Sequence, residues 1–407
     1  MRISHISRYA LGACAAAMLA GCGGSQPPID AQGAMPQTRA ERRRVRPAYS
    51  VLHNFGGSGD GSHAQAGLLN VNGTLYGTTA DGGYNGEGTV YSITLSGSET
   101  VLHSFGADDG GDPEAGLVNV NGTLYGTTAQ NGATGAGTVF SITTSGKETV
   151  LYSFGGKPDG ESPLAGLVKV KNTLYGTTVV GGSGSCYWTA YSYYDSGCGT
   201  VFSMTPSGHG DGILHSFKGA PKDGAFPYAG LLNATGRLYG TTHSGGANDA
   251  GTVFSVTPSG KETVLYSFGN SSGDGESPEA GLIEVNGTLY GTTNGGGANG
   301  DGTVFALKPP GKETVLHSFG GSGDGESPEA GLIEVNGTLY GTTKLGGAYD
   351  GGTVFAITSS GKETVLLSFL GPDGKYPDAG LIHVKGTLYG TTESGGTNNG
   401  GTAFSSP

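Results

Sequence analysis

Seven copies of one short motif, Leu-Tyr-Gly-Thr-Thr, constrain this chain more than any other feature of its 407 residues. The motif tyrosines are Tyr76, Tyr125, Tyr175, Tyr239, Tyr290, Tyr340 and Tyr389, with spacings of 49, 50, 64, 51, 50 and 49. A unit of about fifty residues is too small to bury its own apolar face, so neighbouring units must cover one another. Each unit holds four short runs: Ala-Gly-Leu (Ala280 to Leu282), Tyr-Gly-Thr-Thr, Gly-Thr-Val-Phe (Gly302 to Phe305) and Val-Leu-x-Ser-Phe (Val315 to Phe319). They are β-branched and aromatic, are separated by Gly, Asn, Asp and Ser, and predict four antiparallel strands per unit. The 82 glycines alone would read as low complexity, but the period overrules composition.

Four strands repeated seven times can close as a propeller or stack as an open solenoid. The repeat begins with a fourth-strand run, Val51 to Phe55, and its last copy stops after a third-strand run, Gly401 to Phe404. The first strand can therefore complete the last unit. The expectation is an all-β, seven-bladed propeller of four-stranded antiparallel blades, closed in this way, with small Ala-Gly beside the axis.

The N-terminus predicts export. Arg2 and Arg8 precede or flank the apolar run Tyr9 to Leu19, which is too short to span a bilayer. Leu19-Ala20-Gly21-Cys22 resembles a lipobox, so residues 1–21 read as a signal peptide and Cys22 as the lipidated residue. Durable membrane attachment through the acyl chains is then expected. Gly23 in place of Asp implies sorting to the bacterial outer membrane. Residues 22–47, with Arg39, Arg42, Arg43, Arg44 and Arg46, read as a flexible tether, and residues 48–407 as the propeller. Residues 1–47 hold seven of the 21 Lys and Arg and two of the 33 Asp and Glu; the remainder keeps 14 against 31, a formal charge of −17. That balance repels nucleic acid. A monomer is expected, with a glycan or envelope protein as partner.

The repeat resembles the GloVer-type tandem repeat of bacterial surface proteins. The resemblance runs from about Val51 to Phe404 through Leu-Tyr-Gly-Thr-Thr and Gly-Thr-Val-Phe, and the chain departs from the pattern mainly by an insertion in its third unit. It implies a secreted, anchored repeat protein and brings no known activity. A calcium-binding β-roll does not fit, since its glycine-rich nonapeptide, as at Gly296 to Asp301, occurs once per fifty residues. The signatures of kelch and NHL propellers are missing.

Comparison of the copies separates scaffold from variable positions. An Asp-Gly pair precedes every Ala-Gly-Leu by six residues, from Asp60-Gly61 to Asp373-Gly374. It reads as a turn, with Asp accepting backbone N–H bonds and Gly at positive φ. Calcium held with Glu276 or Glu326 is an alternative, as is one glycan per blade; no other cofactor is expected. His53, His103, His215 and His317 share an outer-strand position with Tyr152, Tyr266 and Leu367, and a packing role is expected. The residue after Tyr-Gly-Thr-Thr varies: Ala80, Ala129, Val179, His243, Asn294, Lys344 and Glu393. A ring of such residues would surround the channel mouth, with His243, Asn294, Lys344 and Glu393 as candidate ligand contacts. No Gly-x-Ser-x-Gly elbow, His-Glu-x-x-His helix or phosphate loop is expected to mark a known chemistry.

The insertion lies in the same loop of the third unit. Cys186 and Cys198 are predicted to form a disulfide there, presenting Tyr187, Trp188, Tyr191, Tyr193 and Tyr194, aromatic groups suited to stacking on sugar rings. A non-enzymatic recognition or scaffold module is the leading expectation; a hydrolase or lyase acting on a glycan or lactone is the alternative.

Overall fold

The computed structural model describes residues 49–187, 195–209 and 212–407. Seven four-stranded antiparallel sheets follow one another around a ring. In the first, an inner strand Leu69–Val71 pairs with Thr74–Thr79, which pairs with Thr89–Thr94 and then with the outer strand Glu99–Ser104. In the last blade the order is Ser50–Asn54, Thr402–Ser406, Thr387–Thr392, Ile382–Val384. The strand that opens the repeat thus closes the ring, as the sequence predicts.

Every element of the repeated motif has a task between or within blades. The first threonine donates its hydroxyl to the Ala-Gly-Leu alanine carbonyl of the following blade, from Thr78 to Ala115 at 3.0 Å and so on round to Thr391 and Ala66. The second threonine meets the threonine that opens the third strand, as in Thr79 to Thr89 at 2.8 Å. Both hydroxyls are buried, so each bond also prevents an unsatisfied polar group. The motif glycine lies opposite the aromatic residue of the third strand. A Cβ on Gly291 would stand 2.7 Å from the Phe305 ring, so only glycine lets that ring lie over the backbone.

The aromatic residues tie the blades together. Each outer-strand phenylalanine packs on the third-strand ring of the next blade, from Phe105 on Phe140 at 5.1 Å to Phe369 on Phe404 at 5.1 Å, and Phe55 on Tyr91 at 4.9 Å completes the circle. These rings are almost all fully buried and form the core at each seam. Each outer strand also carries a bulge at the leucine before the His/Tyr/Leu position, for example between Val304 and Phe305 of its partner strand, which turns the following side chain toward the seam.

Two expectations need correction. Ala-Gly-Leu is the approach to the inner strand, which begins just after it. The alanine carbonyl is taken by a threonine of the neighbouring blade, and the glycines close a ring of their own: a Cβ at Gly166 would meet the Gly116 carbonyl at 2.9 Å, and the same relation runs from Gly67 through Gly380 and back. In five of the seven units the glycine of Asp-Gly is also required for a different reason than a left-handed φ. Gly110 and Gly374 are at positive φ as expected, but Gly61, Gly160, Gly224, Gly275 and Gly325 are not. Their missing Cβ would collide with the second motif threonine, at 2.1 Å for Gly61 and Thr79. Positive φ falls two residues later, at His63, Asp112, Ser162, Phe226, Ser277, Ser327 and Tyr376.

Candidate functional site

These left-handed residues build the rim. The carbonyl of each accepts the N–H of the variable residue after Tyr-Gly-Thr-Thr, as Phe226 does from His243 and Ser327 from Lys344. In five blades a two-residue antiparallel pairing joins link and loop, such as Ala225 with Ser244 and Glu326 with Leu345, and single bridges do so at Gly111 and Lys375. Links and variable loops therefore share one face, as expected.

A second variable set lies beside the first. The residue just before Ala-Gly is Gln65, Glu114, Leu164, Tyr228, Glu279, Glu329 and Asp378 in turn, in each unit two positions before the ring glycine. Sequence reading passed over it, although its variation from copy to copy was the same signal that marked the first set.

The two sets interlock in blades four to seven. His243 Nε2 lies 3.5 Å from Glu279. Asn294 donates to Glu329 at 3.1 Å, and Lys344 Nζ reaches Glu329 at 3.0 Å, Asp378 at 3.1 Å and Glu393 at 3.7 Å. The four polar rim residues expected from sequence thus lie along one belt, with Glu279, Glu329 and Asp378 between them. Ala80, Ala129 and Val179 are buried on the other part of the ring.

The belt is strongly polarised. Burial alone would push the Lys344 ammonium down, but Asp378, Glu329 and Glu393 hold it well above its usual value. Burial, with the repulsion of Glu329 and Glu393, raises Asp378 against the pull of Lys344. Burial pushes Glu114 up to about 7, helped by Asp112 and Glu393, and Glu279 up to about 7, helped by Glu329. Desolvation lowers His243. One lysine amid this many carboxylates is a salt-bridge hub.

At the edge of the belt, the stapled loop frames a cleft of about 370 Å³. Its walls include Tyr187, Lys218, Phe226, Tyr228, His243 and Asp249. The Cys186–Cys198 disulfide forms as predicted. Cys198 is fully buried in the core between blades three and four. Asp195 organises the loop base: it accepts from the N–H groups of Cys186 and Gly197 at 3.1 Å and from Ser185 at 2.9 Å, and pairs with Lys157. Those contacts hold its carboxyl down at about 2, the Lys157 hydrogen bond foremost. Tyr187 is 59% exposed, and Tyr228 packs on His243 with ring centroids 5.4 Å apart. Two features read separately from sequence, the aromatic loop and the variable rim, therefore meet at Tyr187 and His243.

A family model for the Gloeobacter/Verrucomicrobia repeat matches residues 42–186 and 179–404. The chain belongs to the Gloeobacter/Verrucomicrobia repeat family. No curated protein matches this Gloeobacter/Verrucomicrobia repeat chain. Similar solved structures include a chain of a nidogen/laminin complex, 15% identical with TM-score 0.44, covering 72% of this chain and 91% of that one. Others are a putative 6-phosphogluconolactonase from Bacteroides uniformis (16%, TM-score 0.48, 80% and 88%) and a gluconolactonase from Xanthomonas campestris (12%, TM-score 0.43, 88% and 89%).

Trp188, Tyr191, Tyr193 and Tyr194 of the insertion, and Cys22 with the signal and tether, lie outside the described residues. The Asp-Gly carboxylates make the expected turn bonds, such as Gly325 N–H to Asp324 at 2.8 Å. The side chains bonded to Asp274 and Asp324 are Tyr266 and His317, respectively. Gly269-Asn270-Ser271-Ser272-Gly273 fits the spacing of a nucleophile elbow, but it forms a blade link in which Asn270 N–H donates to Asp274, without the strand-to-helix turn that would expose a serine.

Proposed function

We propose that the chain is an outer-membrane-anchored lipoprotein whose propeller is a non-enzymatic recognition module, with a saccharide-containing envelope polymer as its ligand. The observation that carries this reading is the cleft in which Tyr187 and Tyr228 meet His243, Lys218 and Asp249. Aromatic rings beside a few convergent polar groups suit a sugar, whose C–H face stacks while its hydroxyls take hydrogen bonds. The lipobox at Leu19 to Cys22 supports the anchoring, and the disulfide agrees with an oxidising compartment.

The test is binding of residues 48–407 to a panel of envelope polysaccharides, beside Tyr187→Ala and Tyr228→Ala variants. At least ten-fold weaker binding in both variants is expected. Binding that neither substitution alters would remove the cleft from the reading, and no binding to any saccharide would shift it to a protein partner.

A second reading, hydrolysis or elimination on a glycan or lactone, is favoured by the Lys344 belt alone. Against it, three carboxylates surround the ammonium and hold its proton more tightly, which suits a structural clamp better than a general base. Turnover of a lactone or polysaccharide that Lys344→Met abolishes would reverse that preference.

A further inference from the structure

Four of the seven blade seams carry the same three side chains. An outer-strand histidine, the Asp of the following link and the glutamate that opens the next blade's outer strand come together as His53, Asp60 and Glu99; His103, Asp109 and Glu148; His215, Asp223 and Glu262; and His317, Asp324 and Glu363. In each set one donor atom per residue lies within 4.8 Å of the others. These clusters lie on the outer strands, apart from the cleft and the belt. We propose that each of the four seams binds a divalent transition-metal ion, with an imidazole nitrogen and one oxygen from each of two carboxylates as ligands.

The clusters have the organisation of built sites. The histidine Nε2 faces the Asp Oδ2 at 2.9, 2.9, 3.1 and 3.0 Å in chain order. Each imidazole is packed edge-on against the phenylalanine two residues later, 4.8 Å between centroids at all four seams. The other Asp oxygen is fixed by a backbone N–H, from Gly61, Gly106, Gly224 and Gly325. Orientation of the first ligands by such outer contacts is characteristic of metal sites.

The third ligand offers an unsatisfied oxygen: Glu99, Glu148, Glu262 and Glu363 each bury an Oε1 atom that has no hydrogen-bond partner, as Glu313 does at the Tyr266 seam. A cation at the cluster would satisfy the orphaned oxygen and the excess negative charge together. One nitrogen and two oxygens suit zinc or cobalt better than calcium, which takes oxygen ligands. Tetrahedral zinc with bonds of about 2.0–2.2 Å holds its donors about 3.3–3.6 Å apart, so the His–Asp pair, at 2.9–3.1 Å, opens by a few tenths of an ångström inside a cluster whose donors all lie within 4.8 Å of one another.

The remaining seams provide an internal control. Tyr152 and Tyr266 replace histidine at two of them and bond Asp159 and Asp274 at 2.8 and 2.9 Å, while Leu367 stands at the last. Tyrosine therefore fits the position and keeps the Asp contact without offering imidazole nitrogen.

The purified full chain, stripped with a chelator and with its free thiols alkylated, is titrated with zinc chloride by calorimetry and with cobalt chloride by visible absorption. Four ions per chain are expected, with cobalt d–d bands of the strength seen for four-coordinate sites. The variant H53Y/H103Y/H215Y/H317Y should retain the far-ultraviolet circular dichroism of the parent and lose all four; H317Y alone should bind three. Fewer than one ion per chain, or the same number in H317Y as in the parent, would overturn the proposal.

Discussion

Thr391 donates its hydroxyl to the carbonyl of Ala66 at 3.0 Å, although the two residues are 325 positions apart in sequence. The same bond joins Thr292 to Ala330, 38 positions apart, at 3.2 Å. The closing seam is built like the others, so it should be worth as much. Thr391→Val and Thr292→Val should each cost about 1–3 kcal/mol, from the buried carbonyl left without its donor. Urea denaturation measures both; a negligible cost at Thr391 alone would mean that the ring closes by other contacts.

Gly291→Ala places a methyl 2.7 Å from the Phe305 ring and 2.9 Å from Leu282 Cδ2, and should cost about 1–3 kcal/mol by overpacking. Gly212→Ala is the control, since nothing lies within 4 Å of its Cβ position and its φ is not left-handed. It should leave the thermal midpoint within experimental error.

Reduction of the Cys186–Cys198 bond frees a loop whose ends are 12 positions apart in sequence and should lower stability by about 3 kcal/mol on the loop-entropy account. It should also weaken any ligand of the adjoining cleft. Calorimetric melting with and without reductant, on the parent and on Cys186→Ala/Cys198→Ala, separates the bond from side effects of the reagent, because the variant should not respond.

Glu279 gives a pH dependence of defined sign. Burial, with the repulsion of Glu329, lifts its folded-state carboxyl to about 7 against the opposing influence of Asn294 and Lys344, and His243 lies within 3.5 Å. A carboxyl raised on folding contributes stability that is complete below its unfolded value, near pH 4, and is lost as pH rises toward 7. Glu279→Gln cannot ionise. It should be more stable than the parent at pH 8 by about 2–3 kcal/mol, with a gap that closes by pH 4. A gap equal at both values would show that Glu279 does not titrate in this way.

Lys344→Met leaves Glu329, Asp378 and Glu393 facing one another without their cation. A loss of about 3–5 kcal/mol is expected at pH 8. It should shrink at pH 5, because burial and the repulsion of Glu329 and Glu393 raise the Asp378 carboxyl and favour its neutral form as the pH falls. Denaturation curves at the two pH values are the measurement.

The sequence disclosed what the copies have in common, because a scaffold position must solve the same packing problem seven times. Tyr-Gly-Thr-Thr, the aromatic third strand and the closing strand were legible for that reason. The fixed role of a glycine was less so: Gly61 is required by its contact with Thr79, a fact about distance that no turn statistic contains. The pairing of His53 with Asp60 was also hidden, since each residue had an adequate separate explanation in packing or turn formation. Asp378 and its equivalents vary just as visibly, but their place beside Ala-Gly in the chain does not say that they face the residue after the motif across a blade seam. The meeting of Tyr187 with His243 depends on how the third-unit loop folds against the next blade, which repeat spacing does not encode.

The closing strand also sets the order of assembly. Ser50–Asn54 is synthesised long before Thr402–Ser406, the strand it pairs with. Until that partner arrives, the strand waits with its hydrogen-bonding edge unmatched, while the intervening blades can already stack. During synthesis the chain is therefore an arc with two sticky ends. A delay in that pairing leaves both open edges free to join a neighbouring chain instead.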